Sequence, residues 1–208
     1  MITPGWIAPH RTALVLIDCQ VDFGSPSGEM ARRGADMRAP QAALAQAAIL
    51  AQAARKADVR VVFVRFLAHP GEESRIVREA RERQNDQEPD LCVEGTSGAD
   101  FIGPTPEAGD AIFSKTRFSA FARTGLGEQL QAWEIDTVVL AGLTTECCIQ
   151  SSAWGAFEQD LHVFIAADAC AAYDEALHRH ALKALDLSGA TIATAANIAD
   201  AWKSASKQ

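Results

Sequence analysis

The segment from Asp136 to Phe157 reads DTVVLAGLTTECCIQSSAWGAF. Residues 136–142 form a short apolar run rich in β-branched side chains, which predicts a buried strand. Residues 145–160 predict a helix. A strand that feeds straight into a helix is the opening of a βαβ unit. The same alternation extends in both directions along the chain. Strands are expected at 12–18 (TALVLID), 59–66 (VRVVFVRF), 110–115 (DAIFSK), 161–168 (LHVFIAAD) and 190–194 (ATIAT). Helices are expected at 40–57, an Ala-rich run with Pro40 in its first turn, and at 71–86, 124–135, 173–187 and 197–205. Strands separated by helices imply a parallel sheet covered on both faces. The expected fold is therefore α/β, a three-layer α/β/α sandwich with about six strands, in one domain spanning 1–208. Residues 87–109, QEPDLCVEGTSGADFIGPTPEAG, are too long and too rich in Gly and Pro for an ordinary connection. They read as a surface loop that helps to form a pocket wall.

Composition narrows the functional classes. The chain has 208 residues, enough for one substantial core. A formal net charge of −8 argues against non-specific nucleic-acid binding, which needs a basic surface. The first residues do not resemble a secretory signal, and no apolar run approaches the roughly 18 residues of a membrane span. The expectation is a soluble, cytoplasmic protein that meets neither membrane nor nucleic acid. Five cysteines, two of them adjacent, do not form a disulfide framework and read as reduced thiols.

Parallel α/β sheets bind ligands beyond the carboxyl ends of their strands. The reactive side chains expected there are Asp18 and Asp22 after the first strand and Lys115 after the third. Thr144, Thr145, Glu146, Cys147 and Cys148 follow the fourth, and Asp168 the fifth. A cysteine at a helix N-terminus near a lysine is expected to favour its thiolate. A carboxylate in reach can take the thiol proton and return it to a leaving amine. Singly, each residue is more often structural: a buried cysteine is a small hydrophobe, and a strand-end Asp is a turn or cap residue. The signal lies in their combination at neighbouring strand ends.

The segments ALVLIDCQVDF, KTRFSAF and VVLAGLTTECCIQSSAWGAF resemble, in order and spacing, the three signature segments of the isochorismatase-like cysteine hydrolases. The resemblance runs from about Thr12 to Trp202. It implies a six-stranded parallel sheet in the order 3-2-1-4-5-6 and an Asp–Lys–Cys triad carried by Asp18, Lys115 and Cys148. In that order the third strand lies two places from the first, about 10 Å away, so Lys115 must reach inward. Relatives often have Met at Cys19 and Asn at Val21, changes that leave the triad intact. The family's thiol follows a Thr by three residues, and that Thr follows a Gly by three. Gly142 and Thr145 thus lead to Cys148, and Cys147 takes a position that is usually apolar. The resemblance further implies a cis bond between Leu143 and Thr144, with an oxyanion held by the backbone N–H groups of Thr144 and Cys148.

Within this family, isochorismatases characteristically lack the thiol and amidases use it. An intact Cys148 points to hydrolysis of a carbon–nitrogen bond in a small amide, carbamoyl or ureido compound through a thioester. Isochorismatase-type hydrolysis of a non-amide and a non-catalytic binding protein on the same fold are the alternatives. The intact triad argues against the second of these. Gln20, Phe23, Phe118 and Phe121, beside the motif Asp and Lys, are the candidate substrate-binding residues. The zinc nicotinamidase branch carries an Asp-x-His pair after the second strand. Here His69 stands alone in VRFLAHPGEES, and His178 and His180, two apart on a helix, point in different directions. The expectation is no metal, no cofactor, and a small-molecule substrate other than nicotinamide. The family resemblance also implies a homo-oligomer, a dimer or tetramer.

Overall fold

The computed structural model describes residues 2–69, 71, 74–86, 88 and 90–205. Strand β1 (Thr12–Ile17) leads through two single-turn helices, α1 (Val21–Gly24) and α2 (Glu29–Arg32), to the long helix α3 (Arg38–Lys56). The chain continues with β2 (Arg60–Phe66), α4 (Arg75–Gln84), β3 (Ala111–Lys115), α5 (Leu126–Ala132) and β4 (Thr137–Leu143). After a short wide turn come α6 (Gln150–Phe157), β5 (His162–Ala171), α7 (Glu175–Leu187), β6 (Thr191–Ala193) and α8 (Ala195–Ala205). The six strands form one sheet in the order β3-β2-β1-β4-β5-β6, as the sequence resemblance implied. Every pairing is parallel.

Alternate strand residues separate into two apolar layers, as the two-residue period of a strand requires. Leu14, Leu16, Val61, Phe63, Val139 and Ala141 pack on one face with α3 and α8. Ala13, Val15, Ile17, Val62, Val64 and Leu140 pack on the other with α5, α6 and α7. Covering both faces is why β1 and β4 are buried along their whole length and read as continuous apolar runs. Helix α3 turns Ala43, Ala47, Ala51 and Ala54 inward, so its backbone lies close to the sheet. Among the described residues, no helix is long and apolar enough to cross a membrane.

Several boundaries differ from the sequence reading, and local chemistry explains them. Helix α4 is shorter than 71–86 because Ser74 caps it, its Oγ accepting from Val77 N at 3.4 Å, and Asn85 ends it in a left-handed conformation. Glu72 and Glu73 of that expected helix, and Gln87 and Pro89 of the 87–109 loop, lie outside the described residues. Strand β5 runs three residues beyond its expected end. The β4–β5 register shifts between Leu140 and Gly142, after which Gly142 pairs with Cys170 and Leu143 with Ala171. Asp168 therefore lies within β5 and not beyond it. Its Oδ1 accepts from Ala195 N at 2.7 Å and fastens the start of α8.

The described part of the segment 87–109 is tied down by backbone pairing, and its Asp90 and Leu91 line a cleft. Ala68 bridges to Val93 and Gln20 to Phe101. Val21 N donates to Asp100 O at 2.9 Å, and Ile102 N to Cys19 O at 2.9 Å. The buried Asp22 carboxylate accepts from Cys92 N at 2.7 Å and from Glu29 N at 3.0 Å. Asp22 thus serves as an anchor that draws this segment across the carboxyl end of β1.

β1 and β4 approach each other closely at Gly142. Gly142 has φ +124°, and a Cβ built on it would lie 2.0 Å from the Ile17 carbonyl oxygen. Only glycine adopts that backbone without strain and leaves room for the neighbouring strand. Gly142→Ala is expected to lower stability by about 3 kcal/mol or more, since the clash is with backbone and cannot be relieved by a rotamer change. Urea unfolding of the purified variant checks this, with a lowered midpoint as the expected outcome.

Candidate active site

β1 and β4 are adjacent where the strand order reverses, and the loops that leave them diverge there. Asp18 follows β1 with φ 52°, a left-handed conformation that Asp tolerates better than most residues. Its N–H donates to Val64 O at 2.8 Å and extends the β1–β2 ladder by one bond. Its carbonyl accepts from Gln20 N, also at 2.8 Å. This turn carries the carboxylate over the end of the sheet, where it is fully buried.

Lys115 is the last residue of β3, two strands from Asp18, and pairs in register with Phe66. Its side chain crosses the intervening β2 end. Nζ lies 2.7 Å from Asp18 Oδ2, 3.4 Å from Cys148 Sγ and 3.1 Å from the Arg117 carbonyl oxygen. The ammonium has three donors, and each has a partner. The Phe66 ring, its centroid 5.3 Å from Nζ, covers the remaining approach.

Cys148 stands in the turn Thr145–Ile149 that joins β4 to α6. The sequence suggested a regular helix from residue 145. Instead, Ile149 N reaches back five residues to Thr144 O at 3.1 Å, a π-type turn, and regular helix begins only at Gln150. The bond between Leu143 and Thr144 is cis. Two side chains hold the turn from outside. Ser152 Oγ donates to the Cys148 carbonyl at 2.6 Å and accepts from Ala120 N at 2.8 Å. The buried Thr145 Oγ1 lies 2.8 Å from His178 Nδ1 on α7. Of the two adjacent cysteines, Cys148 faces Lys115 and is only 8% exposed. Cys147 is half-buried and packs against the α6 side of the core.

The electrostatics differ from the sequence expectation of a resting thiolate. A hydrogen bond with Cys147, burial and the Asp18 charge together hold the Cys148 thiol well above the ordinary thiol range, and Lys115 acts against them. Asp18, the third of these causes, acts because it already compensates the Lys115 charge. A second negative charge beside the pair would be in excess. Burial raises the Asp18 carboxyl above its usual range, with Lys115 opposing. Asp18 Oδ1 is buried and has no hydrogen-bond partner among the described residues. The resting arrangement is thus an ammonium, a carboxylate with one acceptor oxygen open, and a neutral thiol beside them. Such a set can move a proton from sulfur to carboxylate without changing its total charge.

The expected substrate-binding residues have mixed fates. The buried Gln20 amide is fully committed: Nε2 donates to Phe66 O at 2.9 Å and Ala99 O at 3.0 Å, and Oε1 accepts from Phe66 N at 2.8 Å. It holds the end of β2, and both its N–H donors are committed there. Phe121 packs in the core against Gly155 of α6. Phe23 is half-buried, edge-on to Phe66 with centroids 6.4 Å apart. Phe118 is 64% exposed and lines a cleft of about 500 Å³. That cleft opens beyond β2 and β3, between Phe66, Thr116 and Phe118 on one side and Val77 and Arg81 of α4 on the other. A second depression, about 530 Å³, lies beside Gln131 and Gln159, away from these side chains. The sequence reading missed Tyr173, whose half-buried side chain ties the chain after β5 to α1, its hydroxyl donating to Phe23 O at 2.8 Å. It follows β5 directly, a position that strand-end reasoning reaches once β5 is given its full length. His69 Nδ1 lies 3.2 Å from Glu94 Oε2. Among the described residues, no three His, Cys, Asp or Glu side chains gather in a metal-binding cluster.

A doubly wound parallel sheet with a thiol seated on a buried ion pair at its switch point defines the class of protein. The chain belongs to the isochorismatase family: the model of the Isochorismatase domain matches residues 12–197. It is 29% identical over 188 residues to the ureidoacrylate amidohydrolase RutB of Methylobacterium radiotolerans, covering 84% of this chain and 72% of that protein. Its fold is similar to that of a cysteine hydrolase from Pseudomonas syringae pv. phaseolicola, with a TM-score of 0.83, 23% identity, and coverage of 96% and 95% of the two chains. The N-carbamoylsarcosine amidase of Thermoplasma acidophilum is also similar, with a TM-score of 0.69 and 25% identity over 89% of this chain and 96% of that one.

Removing the Lys115 charge leaves Asp18 buried without a counterion. Lys115→Met is expected to cost about 3–5 kcal/mol, as for other broken buried pairs. The double variant Asp18→Asn, Lys115→Met is expected to recover most of that loss while remaining inactive. In the single variant the Asp18 pKa stays above its unfolded value. The folded state then binds the extra proton, and the deficit grows as pH rises from 4 upward. Denaturant unfolding of the three proteins across pH measures both effects.

Proposed function

We propose that the protein is a cysteine amidohydrolase that cleaves a carbon–nitrogen bond of a small carbamoyl, ureido or amide compound. The observation that carries this reading is the contact of Lys115 Nζ with both Asp18 and Cys148 in a buried site. The two named relatives act, by their names, on a ureido acid and an N-carbamoyl amino acid, which favours carbamoyl and ureido compounds over simple amides.

In the proposed mechanism the Cys148 thiol gives its proton to Asp18 as sulfur attacks the carbonyl carbon. The carbonyl electron pair moves to oxygen, and the backbone N–H groups of Thr144 and Cys148 stabilise the oxyanion. Lys115 balances the negative charge as it passes from carboxylate to the reacting atoms. Collapse breaks the carbon–nitrogen bond, and Asp18 returns its proton to the leaving nitrogen, giving ammonia or an amine and a thioester-type acyl-enzyme. Water, deprotonated by Asp18, attacks that acyl group. Sulfur leaves as the thiol by recovering the proton, and the acid product departs. Phe23 and Phe118 contribute apolar walls. The scheme calls for no metal or cofactor, and the working form is a homo-oligomer, a dimer or tetramer.

An ammonia-release screen over ureides and amides tests the reading. Cys148→Ala is expected to lose activity by about 10⁴-fold or more. Cys147→Ala keeps most of it and costs about 1 kcal/mol of packing. Mass spectrometry of trapped enzyme is expected to find the acyl adduct on Cys148, and an adduct mapped to Cys147 would refute the assignment. Because burial raises Asp18, the acid limb of kcat/KM is expected above the ordinary carboxylate value of about 3.9. Activity falls as pH drops through the Asp18 pKa, since a protonated carboxyl cannot take the thiol proton. A pH–rate profile with full activity at pH 4 would rule out Asp18 as the base.

A further inference from the structure

We propose that Arg117 recognises a carboxylate on the substrate, held in the cleft beyond β2 and β3. The inference rests on the amidohydrolase reading and adds the charge of the substrate's far end. The cleft and the triad share walls. The Phe66 ring that lines the cleft also covers Lys115 Nζ, and the Arg117 carbonyl accepts from the same ammonium at 3.1 Å. In the proposed binding mode the substrate's carbonyl meets Cys148 and its remaining atoms enter the cleft, about 500 Å³, whose lining includes Phe66 and Arg117 but none of Asp18, Lys115 and Cys148.

The charges around the cleft are unevenly matched. Arg81 faces Asp86, 3.2 Å from its Nε, and also binds Asp90. Arg33 faces Glu29 at 3.4 Å. Arg117 has no carboxylate within ion-pair reach among the described residues. Its Nη1 turns back to its own loop and donates to Thr116 O at 2.8 Å and to Thr116 Oγ1 at 3.1 Å. Nη2 and Nε make no hydrogen bond to described residues. They present two parallel donors, the spacing that a carboxylate's two oxygens accept. The cleft that Arg117 lines is apolar at Phe66, Leu67, Val77, Leu91 and Phe118, beside polar side chains that include His69, Asp86 and Asp90. An anion there meets a cation partly shielded from water, where the attraction exceeds that at a fully exposed site. A neutral substrate would leave this guanidinium uncompensated. The structure thus favours an anionic ureide or amide, with the carboxylate on the far side from the scissile bond.

The test is equilibrium binding to the Cys148→Ala protein, which requires no turnover. The probes are N-carbamoyl-β-alanine and its neutral methyl ester. The acid is expected to bind at least tenfold more tightly than the ester. Arg117→Ala in the same background is expected to bring the two affinities together, and Arg117→Lys to restore part of the difference. Equal affinities in the parent, a preference that survives Arg117→Ala, a loss that affects acid and ester alike, or no binding of either probe would each overturn the proposal. The two readings fail separately. A charge preference that depends on Arg117, without ammonia release by the wild type, sinks the amidohydrolase reading alone. Ammonia release without a charge preference sinks only the carboxylate.

Discussion

The buried ion pair between Lys115 and Asp18 is the constraint around which this end of the molecule is organised. An ion taken out of water costs several kcal/mol unless its charge and hydrogen bonds are answered in place. Lys115 meets that demand with three partners at 2.7–3.4 Å from Nζ. To make those contacts, a side chain on β3 must cross β2 and reach the turn after β1. The strand order brings the three ends into line, and the Phe66 ring fills the space beneath the ammonium. Asp18 contributes a left-handed turn, and the β4–α6 junction a widened one, so the carboxylate and the thiol enter from irregular backbone while Lys115 reaches them from the end of a regular strand.

The surrounding polar groups fix that irregular backbone, and most of them do not face the cleft. Gln20 pins the end of β2 to the 97–101 turn. Asp22 fastens the long connection after α4 through two backbone N–H groups. Ser152 and the Thr145–His178 contact brace the thiol's turn from α6 and α7. Each is a buried or half-buried group satisfied by backbone or by a neighbouring side chain, as interior polar groups must be. Together they fix the backbone that carries Asp18 and Cys148. Positioning of this kind is what a site needs before proximity and oriented dipoles can act.

The charge state follows from the same geometry. A lysine beside a cysteine suggests a thiolate, but here the carboxylate lies between the two demands and absorbs the lysine's charge. The thiol rests protonated, with an acceptor oxygen of Asp18 open beside it. In the proposed mechanism proton transfer from sulfur to Asp18 accompanies bond formation, so no ion is created or removed overall. In a dry site this matters, because uncompensated charge is the most expensive thing to bury. The cleft next to the triad carries the complementary surplus, a guanidinium with two donors free of described partners.

The sequence by itself determined the layered α/β architecture, since continuous apolar runs alternating with amphipathic ones leave no other way to bury both. The resemblance of its three segments to a family's signatures further implies Asp18, Lys115 and Cys148 as the triad, with Cys148 rather than Cys147 as the nucleophile. What local pattern cannot carry is where a side chain's hydrogen bonds go. Gln20 reads as a site residue from its place beside Asp18, and only the approach of Phe66 and Ala99 shows that its amide is occupied. Phe121 and Phe118 are three residues apart in one motif, yet one is core and the other lines the cleft. Asp168 reads as a strand-end carboxylate until the register shift opposite Gly142 extends β5 past it. Tyr173 and Arg117 gain meaning only from neighbours contributed by other strands. Tertiary structure decided these points because each depends on contacts between segments far apart in the chain, where burial and competition for partners override what any one segment prefers.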